Sequence, residues 1–289
     1  MKITRSRNIL AAALMGLLIV VPPVHAETDN VTTDTGGAVA DEKAQSAELA
    51  KKLSNPVANL ISVPIQYNWD FGSGKTNAER HTINIQPVIP FSLTKDWNLI
   101  TRTILPIIYG ESPIKGGEDE GGLGDIVQSF FLSPKKPVHG WILGAGPVFL
   151  YPTATNDKTG SSKMGMGPTL VLLQQKKGWT YGVLANHIWS IAGSHRRKDV
   201  NATFLQPFVS YTTKKFTTFT LNTESTYNWN AGQWSVPLNA QVSQLLKIGK
   251  MPISIGIGGR YYANGPKVGP KSGPDWGLRF VVQFLFPKS

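Results

Sequence analysis

Arg102, Arg260 and Arg279, together with Asp125 and Glu224, are the side chains whose charge could do work in this sequence. Each lies in a stretch where apolar and polar residues alternate, and each falls on the polar parity. Gln66, Asn68, Asp70, Asn84, Gln86, Asn222, Gln241 and Gln283 share that parity and extend the polar face. A guanidinium or carboxylate removed from bulk water must be paired or hydrated, because an isolated charge in a low dielectric is too costly. Such groups can lock an interior together as a lattice of ion pairs. They can equally line a narrow wet path and sort solutes by charge. We read them as lining a path that some of the pairs cross.

The elements that must position these groups are strands. In NLISVPIQYNWDF (59–71), Ile61, Val63, Ile65, Tyr67, Trp69 and Phe71 alternate with Ser62, Gln66, Asn68 and Asp70, Pro64 being the exception. Successive side chains of a strand point to opposite faces, so one face is apolar and the other wet. The same pattern recurs at 57–71, 81–92, 97–109, 123–132, 140–151, 164–174, 179–190, 200–211, 217–229, 234–245, 251–262 and 275–286. Most of these reach the roughly 9–11 residues that a tilted strand needs to cross a bilayer. Long polar connections (72–80, 110–122, 152–163, 191–199, 263–274) alternate with short ones at 93–96, 174–178, 212–216 and 246–250. Short inner turns and long outer loops characterise outer-membrane barrels.

The eight tryptophans, at 69, 97, 141, 179, 189, 229, 234 and 276, fall at or near strand ends rather than mid-strand. An indole prefers the membrane–water boundary, so this placement predicts an aromatic girdle at each rim. In the last strand Trp276, Leu278, Phe280, Val282, Phe284 and Phe286 share one face. That end resembles the sorting signal of outer-membrane proteins, except that Pro287-Lys288-Ser289 follows the final Phe.

The beginning of the chain reads as an address. Lys2, Arg5 and Arg7 precede an apolar run from Ile9 to Val21, and Val24-His25-Ala26 is a small-x-small cleavage signal. Residues 1–26 are therefore expected to be a cleaved signal peptide. Residues 27–40 are small and polar and read as disordered. Asp41 is expected to cap a short periplasmic helix that Pro56 ends, with Leu49 and Leu53 on one face. That helix could be a plain lead-in or a plug at the barrel mouth; it carries little apolar surface, which favours the lead-in.

Composition excludes several classes. Loss of the leader would take three positive charges and no acid from a net +11, so the chain stays basic. Nucleic-acid binding needs clustered charge on a recognisable module, and an exported chain rarely meets DNA. With no cysteine there is neither a disulfide nor a thiolate zinc site. Charged residues are 16% of the chain, against about 25% in an ordinary soluble domain. The glycines of IGIGGRYY (255–262) lie within a strand and make room in the lumen rather than cradle a phosphate. The acidic run GGEDEGG (116–122) lacks the spacing of a calcium loop and reads as an external loop. His195-Arg196-Arg197-Lys198 reads as a solvated loop tip, or more sharply as a contact for lipopolysaccharide phosphates. No metal or cofactor is expected. His187 shares its face with Tyr181, Val183 and Trp189, toward lipid. A lipid hydrolase could use a His there, but no matching Ser with a third, orienting group can be specified.

At ELAKKLSNPVANLISVPIQYNWDFG (48–72), GWTYGVLANHIWS (178–190), LNTESTYNW (221–229), QLLKIGK (244–250) and PDWGLRF (274–280) the chain resembles a bacterial family. It is the outer-membrane transporter family associated with phenol meta-cleavage degradation, often mislabelled "neuromedin U". The resemblance implies an outer-membrane barrel passing small, aromatic or hydrophobic compounds, and it brings no catalytic or ligand-binding residues with it.

The expectation is an all-β protein: a closed antiparallel transmembrane barrel of about 12 strands over residues 57–289, after a short periplasmic helix. Its expected role is passive passage of small solutes across the outer membrane, without enzymatic activity. Its expected partners are outer-membrane lipid and lipopolysaccharide, a small-molecule solute, and the barrel-assembly machinery during biogenesis. An outer-membrane enzyme acting on lipid, or an occluded structural barrel, are the alternatives.

Overall fold

Alternation sustained over ten or more residues yields sheet, and a sheet within a membrane has to close, since lipid cannot satisfy an open edge. A computed structural model of the chain describes residues 35–249, 251–268 and 271–287. The chain divides into two compact units after Ala40. Of the first, only the start of a helix at Thr35 is described, so the expected leader and most of the polar segment lie outside the described residues.

The second unit is a closed antiparallel barrel of 12 strands. Strand β1 is Ile61–Ser73. Strand β2 is made of Ala78–Ile85 and Val88–Ser92, interrupted at Pro87. Strand β3 is Trp97–Gly110, and β4 combines Glu120–Leu123 with Ile126–Pro134. Then come β5 Trp141–Tyr151, β6 Lys163–Lys176, β7 Trp179–Gly193 and β8 Asn201–Thr212. Strand β9 combines Thr217–Thr223 with Ser225–Asn228. Strands β10 Gln233–Ile248, β11 Met251–Asn264 and β12 Trp276–Phe286 complete the ring. Each strand pairs with its sequence neighbour, and β12 closes on β1 from Ile61–Phe286 through Phe71–Trp276. The break in β9 falls at Glu224, whose N–H reaches Pro237 O at 3.4 Å while that proline has no N–H to return.

The outer wall is apolar. Leu170, Leu205, Phe219, Leu221, Leu238, Ile255 and Ile257 are all exposed on it. Trp97 and Trp179 stand exposed at strand starts on the side of the short turns, and Trp189, Trp229, Trp234 and Trp276 toward the long loops. This is the belt and double girdle of a barrel that lives in lipid, so the protein resides in the outer membrane.

The inner wall is not uniform. Along β1–β3 and β9–β12 it is largely polar. Along β4–β8 an apolar cluster of Phe131, Val171, Leu173 and Leu184 packs together, joined by Val88 of β2, Ile100 of β3 and Val57 from the segment before β1, with buried Ser129, Thr169, Thr180 and Ser210 beside it. A second apolar group, Val148, Leu150 and Ile188, lies on the same strands nearer the long loops. The lumen is thus half filled by side chains. The expected start of the first strand at residue 57 is corrected here: Val57, Ala58 and Leu60 are buried among lumenal and rim residues, and pairing begins at Ile61.

The helix α1, Thr35–Leu53, ends with Lys51 and Lys52, cations suited to a helix C-terminus. It is longer than a helix capped by Asp41 and is no loose lead-in. Ala50 is 1% exposed and packs with Ala58, Leu60, Leu245 and Leu285, with Leu49, Leu53 and Phe216 against them. Gln175 Nε2, near the end of β6, donates to Lys51 O at 2.8 Å. The helix has little apolar surface, but the rim and the 57–60 turn supply what that surface needs to dock. Together they cover the barrel mouth on the side of the short turns.

Candidate functional site

Pairing register places the charged lumenal side chains in a row near the long loops. Arg260 on β11, Gly277 on β12 and Asp70 on β1 are successive partners. Asp70 then pairs with Arg80 on β2, and Arg80 with Gly110 on β3, which faces Glu120 on β4. Two ion pairs form across this row: Arg260 Nη1–Asp70 Oδ2 at 3.4 Å, and Arg80–Glu120. In each, the partners sit two strands apart with a glycine between them. A Cβ at Gly277 would lie 2.4 Å from Asp70 Oδ1, and one at Gly110 2.9 Å from Glu120 Oε1. Gly277 is required for clearance, since a side chain there would also meet Trp69 O, whereas at Gly110 the Glu120 side chain would have to shift. Arg260 Nη2 also donates to Tyr262 OH at 3.0 Å.

One step further into the lumen, Arg279 is 2% exposed. Its Nη1 and Nη2 donate to Glu224 Oε1 and Oε2 at 2.9 and 2.7 Å, a two-pronged pair, and its Nε donates to Asn68 Oδ1 at 2.8 Å. This bridge runs from β1 and β12 to β9 and so cuts a chord across the lumen. Nearby, Asn239 Nδ2 donates to Asn222 Oδ1 at 2.7 Å. Glycines 256 and 258 on β11 leave room beside Gln241.

The chord separates two cavities. An outer one of ≈ 510 Å³ is lined by Asn68, Asp70, Asn84, Arg80 and Arg260. An inner one of ≈ 250 Å³ is lined by Gln66, Gln86, Arg102, Asn222, Gln241, Arg279 and Gln283, with residues 52–56, Ala58 and Leu60 of the plug beneath. Glu224 lines both and is their partition. Arg102 Nη2 donates to Gln86 Oε1 at 2.7 Å.

Asp125 is elsewhere. It sits in the break of β4, where Oδ1 accepts from Ala154 N at 3.2 Å and Oδ2 from Ser161 N and Oγ at 2.6 Å. The parity that put it in the lumen fails because strand pairing is interrupted at Gly124-Asp125, and the carboxylate ties down the 152–163 loop instead. Arg80 and Glu120, absent from the sequence reading, sit at strand ends where parity is hard to assign. The inward packing of residues 54–60 is the other feature the sequence did not give, since no periodic signal marks that segment.

On the outer wall His187 Nδ1 and Thr203 Oγ1 are 2.8 Å apart, and Trp229 Nε1 donates to the same hydroxyl at 2.8 Å. In the 191–199 loop, hydrogen bonding from the Lys163 ammonium at 2.8 Å holds the Asp199 carboxyl below the usual range. Among the described residues no group of His, Asp and Glu could hold a metal ion.

One solved structure shares this architecture. An outer membrane channel from Pseudomonas putida F1 aligns over 79% of this chain and 96% of its own, with 12% identity and a TM-score of 0.61. The NanC porin aligns over 79% and 100% with 13% identity and a TM-score of 0.48, and outer membrane phospholipase A from Escherichia coli over 78% and 92% with 12% identity and 0.44. A comparison with curated proteins gives no match. In sequence, residues 72–289 match the profile of the family described as "Putative MetA-pathway of phenol degradation". With that match spanning most of the barrel, the chain belongs to this family.

Proposed function

We propose that the protein is a passive channel for small solutes, whose path runs through the outer and inner cavities along the polar arc of the lumen. The observation that carries this is the pair of polar cavities inside a lipid-facing barrel, divided by one salt-bridged chord rather than by packed core. Arg102, Arg260, Arg279, Glu224 and Asp70 bias passage by charge. The plug, residues 41–60, regulates the periplasmic exit. The P. putida channel, similar to this chain, supports a channel, and the family description, with its phenol degradation, supports small, aromatic or hydrophobic compounds as the solute class. Lipopolysaccharide phosphates are proposed to meet Arg196 and Lys198 on their external loop, and the barrel-assembly machinery to act on β12.

Planar-bilayer recording tests the reading. Discrete conductance steps from the purified protein are expected, and selectivity should shift in Arg260→Ala or Arg279→Ala. A barrel that inserts yet shows no steps, even with Leu53→Asp to loosen the plug, is a structural barrel and not a channel.

A lipid-acting enzyme is the second reading, favoured only by the His187–Thr203 contact. That hydroxyl already accepts from Trp229, and the ring lies among Trp189 and Trp229, which suits an aromatic girdle. We read the protein as no enzyme. Phospholipid hydrolysis that is abolished by His187→Ala would reverse this.

A further inference from the structure

Four arginines turn into the lumen. Three are matched: Arg80 by Glu120, Arg260 by Asp70 and Arg279 by Glu224. Arg102 is not. No described carboxylate lies within ion-pair distance of it, its hydrogen-bond partner is the neutral Gln86, and Glu224, whose charge does reach it, is already held by both prongs of Arg279. Gln86 is itself 8% exposed and fixed through its backbone, its N–H donating to Pro64 O at 2.8 Å. The guanidinium is thus held in place while most of its five N–H donors remain open toward the inner cavity.

The other charges on that cavity cancel. Arg279 and Glu224 neutralise each other, and the Lys52 ammonium is 2.7 Å from Glu48. What remains is one positive charge on a wall of amides and hydroxyls. Across the ring from Arg102, the same cavity is lined by Leu184, Phe208 and Phe216. An occupant that complements both sides carries a single negative charge and a compact apolar body. At ≈ 250 Å³ the space lies just below ordinary small-molecule pockets, about 300–1,000 Å³, which limits that body to about one ring or a short branched chain.

We propose that the inner cavity is a binding site for small monocarboxylates with an apolar body, the carboxylate forked on Arg102 and the body against Phe208 and Phe216. A planar guanidinium presents parallel N–H donors that match a carboxylate. The proposal rests on the channel reading for its biological sense, and names the solute class that channel would retain.

Calorimetric titration of the full chain in detergent micelles with benzoate, benzamide and benzylammonium tests it. Benzoate should bind; the neutral benzamide should bind at least about tenfold more weakly, and benzylammonium not measurably. Arg102→Gln should weaken benzoate about ten- to a hundredfold, the range for losing hydrogen bonds to a charged group. Lys115→Gln, exposed on the 110–122 loop, should leave it unchanged. Equal binding of benzoate and benzamide by the natural chain overturns the proposal, and needs no variant to fold. So does full benzoate affinity in Arg102→Gln, which would make the guanidinium merely hydrated. Bilayer recording separates the two claims. Benzoate binding without conductance steps removes the channel and leaves the site; conductance without benzoate binding removes the site and leaves the channel.

Discussion

The two halves of the lumen solve one problem in opposite ways. Both must fill or hydrate the inside of a ring of 12 strands. Along β4–β8 the inward Phe131, Val171, Leu173 and Leu184 pack on one another and on Val57, with buried Ser129, Thr169 and Thr180 among them, and the inner cavity reaches this arc only at Leu184 and the inward face of β8. Along β1–β3 and β9–β12 the inward positions are Asn, Gln, Thr, Arg and Glu. These cannot pack dry, because each polar group needs a partner. They meet in pairs where glycines allow it, and elsewhere leave wet space. The packed arc fills its part of the ring, and the polar arc is where the proposed path runs.

The sharpest way to break this comparison is to put a charge into each arc. Val171→Lys buries an ammonium in the packed arc with no partner, and should cost several kcal/mol or prevent assembly. Thr220→Lys on the wall of the inner cavity should cost about 1 kcal/mol or less, its ammonium remaining in hydrated space. Heat-modifiable migration and urea midpoints in lipid vesicles read both. Similar losses in the two would mean that the arcs do not differ.

Next in size is the chord. Glu224→Ala strands Arg279 and should destabilise the barrel by about 3–5 kcal/mol, while joining the two cavities and raising conductance. The double change Arg279→Met with Glu224→Leu should recover much of the stability, because a well-packed apolar pair can replace a buried ion pair. Its conductance should stay low, the chord being refilled.

Leu173→Ala, in the packed arc, should cost about 2–5 kcal/mol and leave ion selectivity unchanged. A selectivity change there would mean the path crosses the apolar half. The smallest expected effect lies outside both arcs: Glu118→Ala breaks an exposed pair with Lys158, 3.4 Å apart, and should change stability by less than about 1 kcal/mol with no effect on current.

How far this was legible depends on the element. For β1 and β12 alternation reads directly: Gln66, Asn68 and Asp70 inward, Tyr67 and Trp69 outward, and the structure has the same parity. For β6, with Val171, Leu172 and Leu173 in succession, both faces are apolar and parity carries no information about which side is filled. Asp125 shows the limit in a different form. One interruption of pairing redirected its carboxylate from lumen to loop. Helix α1 shows another: its small apolar stripe argued against docking, and the surface that makes docking favourable is split among Phe216, Leu245 and Leu285.

By itself the sequence determined the strands, their faces, the ring of tryptophans and hence a barrel in a membrane, because these follow from a period of two and the affinity of indole for interfaces. Only the tertiary structure decided which charges meet, that Arg102 has no ion-pair partner among the described residues, that an apolar cluster fills part of the lumen and that residues 49–60 pack at the mouth beside the short turns. The reason is distance along the chain. Arg279 and Glu224 become neighbours only after the ring closes, and no local pattern records a contact that closure creates.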